Sequence, residues 1–253
     1  IVTLTNYWTA YGGITQYLEW VDASTSNVGI FFNNSEAIEI YKNYTQHMIT
    51  RVNHYTNVSY RDDPTIFAWE VCNEPRHQNL GDDITSTVLR EWMDDIGKFI
   101  KDLDPNHLIS SGLEGQGTVY NYGENAGNNF TIIHSSPYID FCTAHLYPTK
   151  SWSNLSVSQT QELLKQWIYD CQINLNKPFF LGEFNVQENN QNGGSRSNWW
   201  SHIYSIIEEY NAGGDAFWWY EYTQMDGEYG VMTGAPELKV FLNHSINMQA
   251  KCV

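Results

Sequence analysis

Positive charge is scarce in this sequence of 253 residues, where 13 Lys and Arg stand against 29 Asp and Glu for a formal net charge of −16. A chain so acidic repels phosphate backbones and anionic lipid, which excludes nucleic acid and membrane surfaces as expected partners. Long apolar runs are also missing, since no stretch approaches the roughly 20 residues of a bilayer span. Cysteine is sparse, and no Cys-x-x-Cys or His-x-x-x-His spacing occurs, so neither a metal nor any other cofactor is expected. Cys72 and Cys142 lie in strand-like runs and read as buried free thiols, whereas Cys171 and Cys252 are open to pairing with each other. Repeats and low-complexity linkers are lacking as well. One domain over 1–253 is the expectation.

Aromatic residues are what the chain has in plenty: they make up 15% of it, with ten Trp. Packing accounts for most of them. Several nevertheless fall in loop-like segments beside polar residues, where a flat ring suits the face of a sugar. Asn-x-Ser/Thr sequons occur at Asn33, Asn43, Asn57, Asn129, Asn154 and Asn243, a mild excess over the roughly three or four that chance would give a chain this rich in Asn, Ser and Thr. With no leader legible and an apolar strand at the very start, secretion and a missing natural N-terminus are both expected.

Along the chain, short apolar runs alternate with helical periodicity. Strands are expected at Ile1 to Thr5, Thr65 to Val71, His107 to Ser111, Tyr138 to Ala144, Pro178 to Gly182 and Asp215 to Trp219. Helices are expected over Glu36 to His54 (stripe Ile40, Tyr44, Met48 or His47, Val52), Ile84 to Leu103, Ser158 to Asn174, Asn198 to Tyr210 and Glu237 to Met248. Alternating βα units argue for a parallel sheet with its site at the C-terminal edge. Six strands are too few to close an eight-stranded barrel.

Two of these strands finish on a carboxylate as they leave the core: FAWEVCNEPR (Phe67 to Arg76) on Glu74, and PFFLGEFN (Pro178 to Asn185) on Glu183. Glycoside hydrolysis needs such a pair, one group to protonate the leaving oxygen and one to attack, about 5–5.5 Å apart in a retaining enzyme. Asn73 is placed to donate to a sugar 2-hydroxyl. His145 and Tyr147 share a face; Tyr147 can donate to the nucleophile and hold it ionised, while His145 can orient the acid or a hydroxyl. Glu114 is a third carboxylate at the rim, with a solvated loop charge as its plainer reading. Trp218 suits a sugar platform, with Trp219 facing the opposite way, and Trp8 has the same logic. The pairs Asp82-Asp83 and Asp94-Asp95 fit helix starts or solvated faces.

With NYWTAYGG (Asn6 to Gly13), FAWEVCNEPR, DPNHLISSGLEG (Asp104 to Gly115), DFCTAHLYP (Asp140 to Pro148), KPFFLGEFN (Lys177 to Asn185) and GGDAFWWY (Gly213 to Tyr220), the chain resembles the glycoside hydrolases of clan A, and within them the family 5 endo-β-1,4-mannanases. The resemblance implies an α/β fold, the (β/α)8 TIM barrel, of which the first two βα units and an active-site Arg are missing here. It implies a retaining mechanism with Glu74 as acid/base and Glu183 as nucleophile, supported by Asn73, His145 and Tyr147. It further implies Trp218 as the sugar platform, and Glu114, Trp8 and Arg76 as contacts of mannosyl units. The expected substrate is β-mannan, the expected state a monomer and the expected location extracellular. The alternatives are an endo-β-1,4-glucanase of the same clan and a non-catalytic carbohydrate-binding homologue.

Overall fold

Apolar runs bounded by turn residues become parallel strands, and the longer periodic segments between them become helices. The computed structural model describes residues 1–253 other than 10–11, 83, 118, 189–193, 224–226 and 252–253. It divides into two units, Ile1–Thr118 with Glu124–Thr143, and Val119–Gly123 with Ala144–Val253.

The first unit runs β1 (Val2–Thr3), α1 (Gly13–Trp20), α2 (Ser35–Thr50), β2 (Ala68–Glu70), α3 (Thr87–Leu103), β3 (Leu108–Ser110) and α4 (Phe130–His134). Its strands form a parallel sheet in the order β1-β2-β3, with Val2 opposite Trp69 and Trp69 opposite Ile109. All three residues of β2 are buried, as expected of a parallel strand covered on both faces. The strand is shorter than the sequence suggests. Phe67 precedes it and is 55% exposed rather than in the core.

A one-residue shift separates the expected and observed faces of α2. The buried residues are Ala37, Tyr41, Thr45 and Ile49, whereas Tyr44 and Val52 of the expected stripe are exposed. Apolar residues sit on both sides of this helix, so periodicity alone leaves its orientation open. Tyr41 settles it, because its hydroxyl donates to the Val71 carbonyl at 2.7 Å. At the other end of α3, the turn signal Asp104-Pro105-Asn106 does more than stop a helix. Asp104 accepts from Trp69 Nε1 at 2.7 Å and from the backbone of Asn106 and His107, and bonds His107 Nδ1. Burial alone would raise its pKa, but these bonds outweigh it and hold the carboxyl below its ordinary value.

The division falls within β4 (Cys142–Leu146). The second unit continues with α5 (Val157–Tyr169), β5 (Phe179–Phe184), α6 (Arg196–Glu209), β6 (Gly214–Asp215), β7 (Tyr220–Glu221), β8 (Val231–Met232) and α7 (Glu237–Lys251). A sheet of order β4-β5-β6 carries Glu183, with Phe180 opposite Gly214 in parallel register. The small β7–β8 ladder was not legible in the sequence. Helix α5 buries Leu163, Leu164, Trp167 and Ile168, the face its periodicity predicts, and begins at a Ser156/Gln159 capping box.

Cysteine chemistry differs from expectation at one position. Cys72 is a buried free thiol, but Cys142 is a half-cystine, as is Cys171. Sequence position says nothing about which sulfurs approach within bonding distance. Cys252 lies outside the described residues, as do Ala10 and Tyr11 of the NYWTAYGG motif and Asp83 of the acidic pair.

Candidate active site

In the first unit, β2 ends at Glu70 and the chain turns sharply after Asn73. Glu74 sits in the left-handed region with φ of 49°, a conformation that costs a non-glycine residue about 1 kcal/mol or more and recurs at functional sites. Its N–H donates to the Gly112 carbonyl at 2.9 Å. Gly112, with φ of 73°, has no alternative, because a Cβ there would lie 2.0 Å from the Cys72 carbonyl oxygen. That close approach is the reason for a glycine in the SGLEG segment.

Trp8, Arg76 and Glu114 form a succession of contacts that starts at this acid. Trp8 Nε1 donates to Glu74 Oε2 at 2.6 Å, so the Trp8 after the first strand is brought to Glu74 itself. The Arg76 guanidinium lies over the Trp8 ring, 4.9 Å from its centroid. Arg76 is in turn gripped by Glu114, with Nε on Oε1 at 2.5 Å and Nη2 on Oε2 at 2.7 Å. Arg76 and Glu114 are 8% and 3% exposed by side chain, so both differ from the open rim groups expected of them. A charge so far from water needs its opposite at hand. Gln116 adds a further bond to Glu114 Oε2 at 2.7 Å. Asn73 is half-buried and gives its amide N–H to Asn6 Oδ1 at 3.1 Å. Of the other acids, Asp82 takes the Val88 N–H at the start of α3 and pairs with the buried His77.

In the second unit, Glu183 lies near the end of β5, half-buried. Tyr147 donates its hydroxyl hydrogen to Glu183 Oε2 at 2.7 Å, and buried His145 has Nδ1 3.7 Å from the same oxygen. A hydrogen bond to the ionised form favours that form. Gly182 lets the sheet close on the imidazole, since a Cβ there would come 3.1 Å from His145 Nε2. Trp218 is 42% exposed. Trp219 does not face the opposite way: the two rings stack at 5.4 Å and 8°. Trp218 makes the last backbone bond to β5, so pleated alternation stops short of Trp219, and the peptide between them is cis.

Two positions that hold the backbone beside these groups escaped the sequence reading. Asn185 is fully buried and donates to the carbonyls of Trp218 at 2.5 Å and Tyr229 at 2.8 Å, while Trp200 Nε1 donates to it at 3.1 Å. It fixes the backbone that presents Trp218. An Asn at the end of an apolar strand was its only signal. Tyr122, in a glycine-rich loop, touches the backbone of the His145–Tyr147 segment and had no sequence signal at all.

The family described as GH family 5 beta-mannosidase-like matches residues 1–227. Mannan endo-1,4-beta-mannosidase 1 of Arabidopsis thaliana is 38% identical over 200 residues, covering 73% of this chain and 47% of its own. The endo-beta-1,4-mannanase structure from Thermotoga petrophila is 26% identical with a TM-score of 0.83, over 97% of this chain and 57% of that one. The endo-1,4-beta-mannanase of Rhizomucor miehei gives 29% and 0.82, over 98% and 71%. The chain spans about half the length of the curated relatives it matches.

Proposed function

Because the chain belongs to the GH family 5 beta-mannosidase-like proteins, we propose that it serves an endo-acting hydrolase of internal β-1,4 links in mannan, glucomannan or galactomannan, working with retention of configuration. The observation that carries the reading is the 2.7 Å bond from Tyr147 to Glu183. A nucleophilic carboxylate must stay ionised, and a phenol that donates to it favours that form. The relatives and solved structures named as mannanases supply the substrate class.

The roles divide as follows. Glu183 attacks the anomeric carbon while Glu74 gives its proton to the departing glycosidic oxygen, leaving a glycosyl ester on Glu183. Glu74, now a carboxylate, takes a proton from water as that water attacks the same carbon and frees Glu183. Asn73 serves the sugar 2-hydroxyl and Trp218 the ring face. Trp8, Arg76 and Glu114 support Glu74, the last two from inside the fold. The (β/α)8 barrel belongs to the same reading, as do one catalytic domain, a neutral polysaccharide substrate and a monomeric state.

Reducing-sugar release from mannan by the parent and by Glu183→Ala tests it. A loss of about a thousandfold or more is expected for removal of a covalent nucleophile, and equal activity in the two would sink the assignment. The configuration of the first product, followed by NMR, distinguishes retention from inversion.

Extracellular location and glycosylation are proposed as well, and the fold sorts the sequons. Asn129 is committed, taking the Ile132 N–H on Oδ1 and giving its amide to the Ile84 carbonyl. Asn57 and Asn154 are exposed turn residues with φ of 57° and 41°, which makes them the best glycan acceptors. Protein from its natural host should lose mass on endoglycosidase treatment, and Asn57→Gln with Asn154→Gln should remove most of that loss. An unchanged parent mass would count against both claims.

A further inference from the structure

A buried hydroxyl stands where a neighbouring strand would otherwise be. Beyond Leu146, β4 has no more residues in its ladder, and Asn185 N–H donates to the Leu146 carbonyl at 3.1 Å as the closing rung on the β5 side. On the other edge, Tyr122 donates its hydroxyl hydrogen to the His145 carbonyl at 2.8 Å and accepts the Tyr147 N–H at 2.8 Å. In a parallel ladder one residue of the next strand does both jobs, giving its N–H to one carbonyl and taking the N–H two positions further along. Tyr122 performs them with a single oxygen. The hydroxyl is held in place because its ring is 1% exposed and packs edge-on against Trp152 and Trp167, with centroids 5.3 Å away in each case.

The segment so clamped is the one that carries His145 and Tyr147. With both backbone edges fixed, the two side chains leave on one face, and both reach Glu183 Oε2, at 3.7 Å and 2.7 Å. Ser153 adds a bond to the Tyr147 carbonyl at 2.6 Å, and Tyr229 packs edge-on to the Tyr147 ring. We propose that Tyr122 is a positioning residue for the nucleophile: its hydroxyl replaces a strand rung so that Tyr147 stays on Glu183 and keeps that carboxylate ionised. The inference rests on the reading of Glu183 as nucleophile.

Tyr122→Phe removes the rung and keeps the ring. The Tyr147 N–H and His145 carbonyl lose that partner inside the protein, so the segment shifts to find others. Weakening the Tyr147 bond favours the protonated carboxyl. Since attack requires the ionised form, the acidic limb of the kcat/KM profile on mannan should move to higher pH, with kcat reduced about tenfold. Tyr147→Phe should move the same limb, and the double variant should be little worse than Tyr147→Phe alone, because the two act in series. Tyr120→Phe is the control. It removes a hydroxyl of the same loop that bonds Asp170 at 2.8 Å and should leave the limb in place.

An unmoved acidic limb in Tyr122→Phe, or losses that multiply in the double variant, would overturn the proposal. Should Tyr122→Phe fail to fold, incorporation of 4-aminophenylalanine at 122, which keeps a donor and an acceptor, should restore the parent profile. A shifted limb in that folded protein would equally overturn it. If Glu183→Ala keeps parental activity, the reading of the site itself is lost; if that variant is inactive while Tyr122→Phe matches the parent, only the clamp is.

Discussion

The indole of Trp8 has one N–H to give, and it gives it to Glu74. A cation over the ring, here Arg76, draws density from the indole and makes that N–H a better donor. The bond favours ionised Glu74, the form that the proposed acid/base role requires when it takes a proton from water. Trp8→Phe keeps a ring under Arg76 but removes the donor. The protonated acid then persists to higher pH, so the alkaline limb of kcat/KM should move upward, and an unchanged profile would show that the bond plays no part in proton control. Behind this stands the Arg76–Glu114 pair. Arg76→Met takes the guanidinium from a buried carboxylate and should cost about 3–5 kcal/mol in urea denaturation, of which Arg76→Met with Glu114→Leu should recover most. Glu74, Glu183, Asn73 and Tyr147 were legible because each lies at or near the end of an apolar run, where polarity has no packing reason. The inward pairing of Arg76 with Glu114 was not, since residues 38 positions apart meet only through the fold. Tyr122 was illegible for the same reason.

Among the elements, six expected strands correspond to the six of the two parallel sheets, because turn residues bound each run. Most lengths were overestimated, as at β6, where apolar residues continue past the ladder, whereas β5 runs on to Phe184, past the expected Gly182. The face of α2 was misread by one position because burial there is decided by what Tyr41 can bond, not by hydropathy. The last helix carries a feature that periodicity does not reveal. His244 of α7 bonds Asp215 of β6 at 2.7 Å and Glu208 of α6 at 2.8 Å, and its ring stacks on Tyr204. Burial alone would lower its pKa, but the bonds and charges of the two carboxylates outweigh that and raise it. A raised folded pKa gives stability that is complete below the ordinary imidazole value and is lost as pH rises through the folded one. The melting temperature should therefore fall as pH rises above the ordinary imidazole value. His244→Gln should melt lower at pH 6 and show a smaller fall. An equal slope in both proteins would remove His244 from this account.

For the molecule as a whole, the net charge of −16 bears directly on which substrate is tested and how. Carboxymethyl cellulose is the usual soluble β-glucan, but it is a polyanion, and an acidic protein repels it whatever its subsites prefer. Slow hydrolysis of that polymer would therefore say little about mannan against glucan. The charge and specificity contributions separate by salt. The Debye length shrinks from about 30 Å at 0.01 M to about 10 Å at 0.1 M, so repulsion of an anionic chain weakens while contacts to sugar rings and hydroxyls do not. KM for a carboxymethylated galactomannan should accordingly fall several-fold over that range, and KM for the unmodified polymer should stay constant. With charge set aside, unmodified mannan should be cut much faster than neutral hydroxyethyl cellulose at every salt concentration. Comparable rates on the two neutral polymers would leave the retaining chemistry of Glu74 and Glu183 standing and transfer the enzyme to the glucanases of the same clan. Binding of mannan without turnover, in a protein that retains both carboxylates, would instead mark a carbohydrate-binding relative.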